Sequence, residues 1–186
     1  MPKGKIIFLN GVSSSGKTTL AKTLQDRLSM PFYLLANDIF TDEPVCPEKF
    51  VNIDATETYQ RGLTGMYYAV RAFSDAGINT IVDDVLLKED GYDRLNQCVE
   101  LLHDYPVLFV HVTCPIEELR RREEERNDRW VGMGESQLEI LTPQDTYDIT
   151  VDTYNNTKED CADRIIELLN HPEKFTVFKT LWLKYI

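Results

Sequence analysis

The stretch KIIFLNGVSSSGKTTLAKTL, residues 5–24, joins an apolar run to a glycine- and serine-rich loop and then to a helical pattern. The apolar run predicts a strand over residues 5–10, and leucines at helical spacing predict a helix over residues 17–30. The loop between them, GVSSSGKT, matches the pattern GxxxxGK[ST], in which backbone N–H groups and a helix N-terminus surround phosphate groups. A chance match in a chain of this length has a probability on the order of one in a hundred. The motif therefore predicts nucleotide binding, with a ligand-free glycine–serine loop as the alternative.

The predicted phosphate-binding residues form one contiguous segment of this loop. They are Gly11, Val12, Ser13, Ser14, Ser15, Gly16, Lys17, Thr18 and Thr19. In this motif the lysine reaches the β- and γ-phosphates and the threonine hydroxyl binds Mg²⁺. The expected cofactors are ATP and Mg²⁺.

Composition limits the classes of protein that fit this chain. A length of 186 residues favours a single domain. Hydrophobic residues at 42% and charged residues at 27% argue against disorder and against a membrane protein. The net charge of -11 repels phosphate backbones, so we expect neither nucleic acid nor anionic membranes as partners. The four cysteines lack metal-ligand spacing, and the first ten residues lack a signal-peptide core, so we expect reduced cysteines and a cytoplasmic location.

Short apolar runs alternate with longer helical patterns through most of the chain. Further strands are predicted over residues 32–36, 79–82, 107–112 and 147–152, and helices over 56–76, 90–103, 116–128 and 157–169. This alternation is typical of a parallel α/β sheet, here with five strands in a domain of residues 1–171. Aromatic and aliphatic residues recur at helical spacing in the tail, 172–186, which predicts an amphipathic helix packed on the same domain. A homodimer interface is the alternative for this tail.

Acidic residues follow two of the predicted strands. The third strand ends in IVDDV, where Asp83, our first choice, or Asp84 would hold the magnesium ion; a capping role is the alternative. The second strand ends in LLANDIF, where Asp38 would accept a proton from a hydroxyl group, unless it caps the next segment. Ligands of open α/β sheets bind at these carboxyl ends of strands. Residues 39–55 are the expected wall of the acceptor site, and since Lys49 is their one basic residue, a neutral acceptor is favoured over a phosphorylated one.

Three arginines share one face of the helix predicted after the fourth strand, and a mobile lid is expected there. They are Arg122, Arg126 and Arg129. Arginines in a row repel one another, and phosphate oxygens of a nucleotide would relieve that repulsion. The alternative is a solvated helix with ion pairs such as Glu118 with Arg122 and Arg121 with Glu125. The adenine is expected near residues 153–156.

Several motifs together resemble the chloramphenicol phosphotransferase family of P-loop kinases. They are IIFLNGVSSSGKTTL, NDIF, TIVDDVLL, RREEERNDRWVGMG, YDITVDT and TKEDCA, in the family's order over residues 4–170. The resemblance implies a nucleoside monophosphate kinase-like sheet of order 2-3-1-4-5 and ATP-dependent phosphorylation of a small-molecule hydroxyl, with antibiotic resistance as the associated role. It also implies that Asp38 is the catalytic base, that Gly16, Lys17 and Thr18 belong to the phosphate loop, and that Arg122, Arg126 and Arg129 are lid arginines.

Two departures weaken chloramphenicol itself as the substrate. The stretch between Asp38 and Asp83 is shorter than in the chloramphenicol enzyme and lacks its glycine-rich part, and the aromatic tail is additional. We therefore expect an ATP-dependent kinase with an alcohol group as acceptor. A nucleoside or nucleotide kinase and a non-kinase P-loop ATP-binding switch are the alternatives.

Overall fold

The computed structural model describes residues 2–41, 55–89, 91–126 and 130–185. The strands are β1 (Ile6–Asn10), β2 (Tyr33–Ala36), β3 (Thr80–Asp84), β4 (Lys88–Glu89), β5 (Tyr92–Asp93), β6 (Val107–Thr113) and β7 (Ile149–Asp152). The helices are α1 (Lys17–Arg27), α2 (Asn37–Thr41), α3 (Ala55–Asp75), α4 (Arg94–Leu102), α5 (Ile116–Arg126), α6 (Met133–Leu138), α7 (Lys158–Leu169) and α8 (Val177–Tyr185).

A parallel sheet lies between two layers of helices. Its five strands have the order β2-β3-β1-β6-β7, and every adjacent pair is parallel. Counted among these five strands alone, the order is 2-3-1-4-5, so the predicted fold is confirmed. The short strands β4 and β5 form a separate antiparallel ribbon.

The central strand β1 is apolar on both faces because helices cover both faces of the sheet. Ile6 and Phe8 pack in one core cluster with residues of α3, α4 and α8, while Ile7 and Leu9 pack in a second with residues of α1 and α7. All four side chains are fully buried. Burial of side chains of this size contributes about 1.5–3 kcal/mol each, which holds the carboxyl end of β1 and the loop after it in place.

Several predicted boundaries differ from the structure by a few residues, and two of them lie near the acidic pair. Strand β3 continues through Asp83 and Asp84 instead of ending at residue 82. The helix predicted from residue 90 begins at Arg94, because residues 88–93 form the ribbon of β4 and β5 and Asp93 caps the helix by accepting the amide N–H of Asn96. Short α2 and α6 were not predicted. Residues 42–54 of the expected acceptor wall lie outside the described residues.

The C-terminal residues pack on the body of the domain. Val177, Phe178 and Leu181 are buried in the first core cluster, against α4 and β6. The amide N–H groups of Thr176 and Val177 donate to the Asp148 carboxylate, which holds the start of α8. A capping box formed by Thr157 and Asp160 begins α7.

The remaining sequence expectations concern cysteines and membranes. Cys98, Cys114 and Cys161 are free thiols, and Cys46 lies outside the described residues. Within the parts of the chain that the structure describes, no helix has the length and apolar character needed to cross a bilayer.

Candidate active site

The loop between β1 and α1 adopts a backbone shape that fits a phosphate group. Gly16 has φ +96° and Ser14, a non-glycine residue, has φ +61°, a costly conformation that clusters at ligand-binding sites. Gly16 is the N-cap of α1, and no side chain caps the helix. The first-turn amide N–H groups of a helix have no intrahelical acceptor and favour an anion. The Oγ atoms of Ser14 and Ser15 are also buried, and no group in the described part of the chain forms a hydrogen bond with them.

Lys17, Thr18 and Asp83 meet beside this loop. The Thr18 Oγ1 hydroxyl donates to Asp83 Oδ2 at 2.7 Å, and Lys17 Nζ lies 3.9 Å from Asp83 Oδ1. Burial raises the pKa of the Asp83 carboxyl, and the nearby Lys17 charge opposes that rise.

The oxygens of Thr18 and Asp83 are of the kind that Mg²⁺ prefers, so the residues fit the ion. Among the described residues there is no cluster of three or more His, Cys, Asp or Glu side chains that could hold a metal. Mg²⁺ in kinases is bound by one or two carboxylates together with substrate phosphates and water, and it does not need such a cluster.

Asp84 lies on the opposite face of the sheet from Asp83, in a buried polar network. Its carboxylate pairs with the Arg94 guanidinium and accepts hydrogen bonds from the Tyr67 hydroxyl at 2.7 Å, the Val85 amide at 2.8 Å and the Asn37 side chain at 3.2 Å. Asp84 is 0% exposed and Arg94 is 4% exposed. The predicted metal role of Asp84 stays a prediction, but its lone pairs are engaged by four donors. Arg94 lies in none of the motifs that the sequence predicted to be functional.

Asp38 lies in the first turn of α2, directly after β2. It lines a cavity of about 240 Å³, called here the acceptor cavity, into which the phosphate loop also opens. The residues of this cavity from the loop and its partners are Ser13, Ser14, Lys17, Thr18 and Asp83. The structure thus brings the predicted base Asp38, the lysine and two of the candidate magnesium ligands, Thr18 and Asp83, to one place, whereas Asp84 does not line this cavity.

The rest of the acceptor cavity combines apolar and polar side chains. They are Asn37, Tyr59, Val85, Leu87, Arg94, Arg126, Met133 and Gln137. These side chains come from α2, α3, the chain after β3, α4, α5 and α6. The acceptor wall expected over residues 39–55 stays a prediction, because most of that segment lies outside the described residues.

A second cavity, of about 340 Å³, lies on the other side of the phosphate loop and is called here the nucleotide cavity. It is lined by Gly16, Lys17, Thr18, Thr19, Arg122, Arg126 and Thr153, among others. Arg122 donates to the carbonyl oxygens of Ser14 at 3.2 Å and Thr153 at 3.1 Å, so it joins the loop to the end of β7. Thr153, where the expected adenine segment begins, therefore borders this cavity.

The arginines of α5 both line a cavity beside the phosphate loop and form ion pairs with glutamates of the same helix, which had been alternatives in the sequence analysis. Arg122 and Arg126 line the nucleotide cavity, while Arg129 lies outside the described residues. Arg122 Nε also donates to Glu118 at 2.8 Å, and Arg121 pairs with Glu125. The Glu118 carboxylate offsets the charge of Arg122, so repulsion among the arginines does not by itself require a nucleotide at Arg122. Arg121 and then Arg122 lower the pKa of Glu118 to about 2.

A buried acid connects α5 to α6 and α6 to the phosphate loop. Glu123, 1% exposed, accepts the amide N–H groups of Gly132 and Gly134, both at 2.7 Å. A Cβ atom on Gly134 would lie 2.7 Å from the Ser13 carbonyl oxygen, so only glycine allows this approach. The Ser13 amide in turn donates to Gln137 Oε1 at 2.6 Å. Sequence periodicity did not indicate these contacts.

Comparisons with known proteins show the family to which this chain belongs. The profile of the family described as "Chloramphenicol phosphotransferase-like protein" matches residues 4–170. A Mycobacterium tuberculosis protein named "Putative O-phosphotransferase Rv2636" is 31% identical over 175 residues, which cover 82% of this chain and 76% of that protein. An adenylyl-sulfate kinase of Clostridium acetobutylicum is 32% identical over 175 residues, covering 90% of this chain and 84% of the relative.

A solved structure supports the fold. The APS kinase of Mycobacterium tuberculosis, in complex with AMPPNP and APS, superposes with a TM-score of 0.68 at 15% identity and covers 91% of this chain and 99% of its own. At this identity the likeness concerns the fold of a P-loop kinase. Together with the family profile and the two relatives, it establishes the chain as a P-loop phosphotransferase. The chain belongs to the chloramphenicol phosphotransferase-like family.

Proposed function

We propose that this protein transfers the γ-phosphoryl group of ATP to a hydroxyl group of a small molecule. The observation that carries the proposal is the convergence of Lys17, Thr18, Asp83 and Asp38 on the acceptor cavity. A loose phosphoryl-transfer transition state needs alignment and charge neutralisation more than covalent chemistry. One acid beside the phosphate loop is enough for such a reaction.

Each group has a defined task in this proposal. The N-terminus of α1 and the Lys17 ammonium bind the phosphates, and the guanidinium groups of Arg122 and Arg126, which line the nucleotide cavity, donate hydrogen bonds to oxygens of the transferring phosphoryl group. Thr18 and Asp83 would hold Mg²⁺, which supplies further charge neutralisation when it is bound. Asp38 accepts the proton of the acceptor hydroxyl. The oxygen of that hydroxyl attacks the γ-phosphorus of ATP, and ADP leaves. Bases of this kind contribute about 10²–10⁴ in rate.

A nucleotide kinase is the second candidate, and one observation favours it. The acceptor cavity is lined by Arg94 and Arg126, whose guanidinium groups could bind a phosphorylated acceptor. The sequence had pointed to a neutral acceptor because residues 39–55 contain a single basic residue. The Arg94 charge is balanced by Asp84, so the neutral acceptor remains our first choice. A cytoplasmic location and antibiotic resistance remain predictions, as does the homodimer. A P-loop switch without an acceptor is the third candidate.

The test is Asp38→Ala, with Asp26→Ala as the matched control on the exposed end of α1. ADP formation is measured with a library of hydroxyl compounds, and nucleotide affinity is measured by calorimetry with MgAMP-PNP. We expect acceptor-dependent turnover of the Asp38 variant to fall about a hundredfold or more while its nucleotide affinity stays close to that of the wild type. Unchanged turnover would remove Asp38 from the mechanism.

A further inference from the structure

Gln137 connects the phosphate loop to the wall of the acceptor cavity. Its Oε1 atom accepts the amide N–H of Ser13 at 2.6 Å, and its side chain also lines the cavity. A backbone N–H can only donate, so this contact fixes the orientation of the Gln137 amide with its oxygen toward Ser13. The Nε2 atom, which carries two donor hydrogens, is then the free end of the amide. Among the residues that the structure describes, none accepts a hydrogen bond from it.

Arg94 adds to the supply of donors in the same cavity. Its guanidinium pairs with Asp84, yet its Nε atom is buried and has no hydrogen-bond acceptor within the described parts of the chain. Pairing with Asp84 leaves little net charge at this position, so Arg94 offers hydrogen bonds more than it offers attraction for an anion. Unpaired donors at a buried site disfavour an apolar ligand, because the ligand would remove water from them without replacing its hydrogen bonds.

The acceptor cavity also has an apolar part, formed by Val85, Leu87 and Met133. A ligand that fills the cavity thus meets apolar surface on one side and donors from α4 and α6 on the other. Asp38 is the acid placed to receive the reacting hydroxyl. A molecule with a single hydroxyl would satisfy Asp38 and leave the donors unpaired.

We propose that Gln137 is a specificity-determining residue whose Nε2 donates to an oxygen of the acceptor other than the reacting hydroxyl. The acceptor is accordingly an oxygen-rich small molecule, such as a polyhydroxylated acid or polyol. This inference rests on the proposed function, because it concerns the acceptor of the same transfer. The Ser13 contact makes Gln137 a rigid donor, since the loop holds one end of its amide while the other end meets the acceptor.

The experiment compares Gln137→Glu and Gln137→Met with the wild type. Glutamate keeps an oxygen for the Ser13 amide but loses the Nε2 donors, whereas methionine loses both. Glu139→Gln, at an exposed position just after α6, is the control for a change between acid and amide on this segment. Initial rates of ADP formation are measured at saturating MgATP over a library of hydroxyl compounds, and with MgATP varied at a saturating concentration of the best acceptor. The library includes matched probes, shikimate with cyclohexanol and D-gluconate with 1-hexanol.

We expect the wild type to phosphorylate oxygen-rich compounds at least about tenfold better, in kcat/KM, than their single-hydroxyl counterparts. In Gln137→Glu the KM for the best acceptor should rise about 10- to 100-fold, while the KM for ATP changes less than about threefold. The control variant should match the wild type in both constants. The inference is overturned if Gln137→Glu keeps the acceptor KM, if single-hydroxyl alcohols are preferred, or if the variant loses ATP affinity to the same extent. A wild type that phosphorylates no compound contradicts the proposed function itself, and with it this inference.

Discussion

The two adjacent acids of β3 should respond in opposite ways when each is replaced by its amide. Asp84→Asn removes a carboxylate that is 0% exposed and accepts from four donors. The amide nitrogen that replaces one oxygen would face donors, and the Arg94 cation, 4% exposed, would lose its counter-charge. Breaking a buried ion pair from one side costs about 3–5 kcal/mol in the free energy of unfolding. For a domain of this size that corresponds to a fall in Tm of about 6–20 °C.

Asp83→Asn should destabilise the ligand-free protein less than Asp84→Asn, because the ion pair that it removes, with Lys17, spans 3.9 Å. Burial raises the pKa of Asp83, which means that the fold disfavours its charged form, and a neutral amide avoids that cost. The same substitution removes one of the two predicted Mg²⁺ ligands. A nucleotide at a hundred times its Kd stabilises the folded state by about 2.7 kcal/mol, and the magnesium-dependent part of that gain should disappear.

The assay is thermal unfolding of the wild type and both variants in EDTA, in AMP-PNP with EDTA and in AMP-PNP with Mg²⁺. We expect Asp84→Asn to lower Tm in EDTA and to keep a magnesium-dependent rise on nucleotide binding. Asp83→Asn should lower the Tm of the ligand-free protein less than Asp84→Asn does, and it should lose that rise. If instead Asp84→Asn leaves the ligand-free Tm unchanged and abolishes the magnesium effect, Asp84 is the metal ligand and the reasoning is refuted.

Two further outcomes concern stability. Gly134→Ala should lower Tm and weaken MgAMP-PNP binding, because the added Cβ would lie 2.7 Å from the Ser13 carbonyl oxygen. The control is Gly65→Ala in α3, where the added carbon meets open space, and it should raise the free energy of unfolding by about 0.5–1 kcal/mol. Equal Tm values for the two variants would contradict this account. Burial lowers the pKa of His111 to about 4. Between pH 6.5 and 4 the unfolded chain therefore binds more protons than the folded protein, and the free energy of unfolding decreases as the pH is lowered through this range. His111→Phe, which keeps a ring against Tyr147, should lose less Tm than the wild type over that range, and parallel pH profiles would argue against the shifted pKa.

Sequence reasoning worked where the information was local in the chain. The phosphate loop is contiguous, and its glycine, lysine and threonine follow one another in a strand–loop–helix context that fixes their geometry. The alternation of apolar runs with helical patterns indicated the parallel sheet for the same reason, since periodicity within each element reports which faces are buried. The amphipathic pattern of the C-terminal tail likewise indicated which side chains are buried, since Val177, Phe178 and Leu181 pack in the first core cluster.

The misplaced end of β3 obscured the different roles of Asp83 and Asp84. Side chains alternate between the faces of a strand, so Asp83 and Asp84 must point in opposite directions once β3 is known to include both. With the strand ended at residue 82, Asp83 was the first choice for the metal ligand, but Asp84 remained a candidate. With the longer strand, alternation places Asp83 beside α1 and Asp84 beside α3 and α4.

The contacts that shape the acceptor cavity join residues far apart in the sequence. Ser13 and Gln137 are 124 positions apart, and Asn37 and Asp84 are 47 apart. Side-chain hydrogen bonds of this kind leave no periodic trace in one sequence, and their partners are polar residues that fit equally well on a solvated surface. Gln137 and Arg94 therefore became visible only when the folded chain brought them to the cavity.

Calorimetric titration with MgAMP-PNP tests the central claim most directly, because every proposed role depends on a nucleotide in the phosphate loop. The wild type should show one site with a Kd between about 1 µM and 1 mM, the range of most enzyme substrates, and Lys17→Ala should bind at least about tenfold more weakly. No heat of binding at millimolar nucleotide, or equal affinity in Lys17→Ala, would contradict the account.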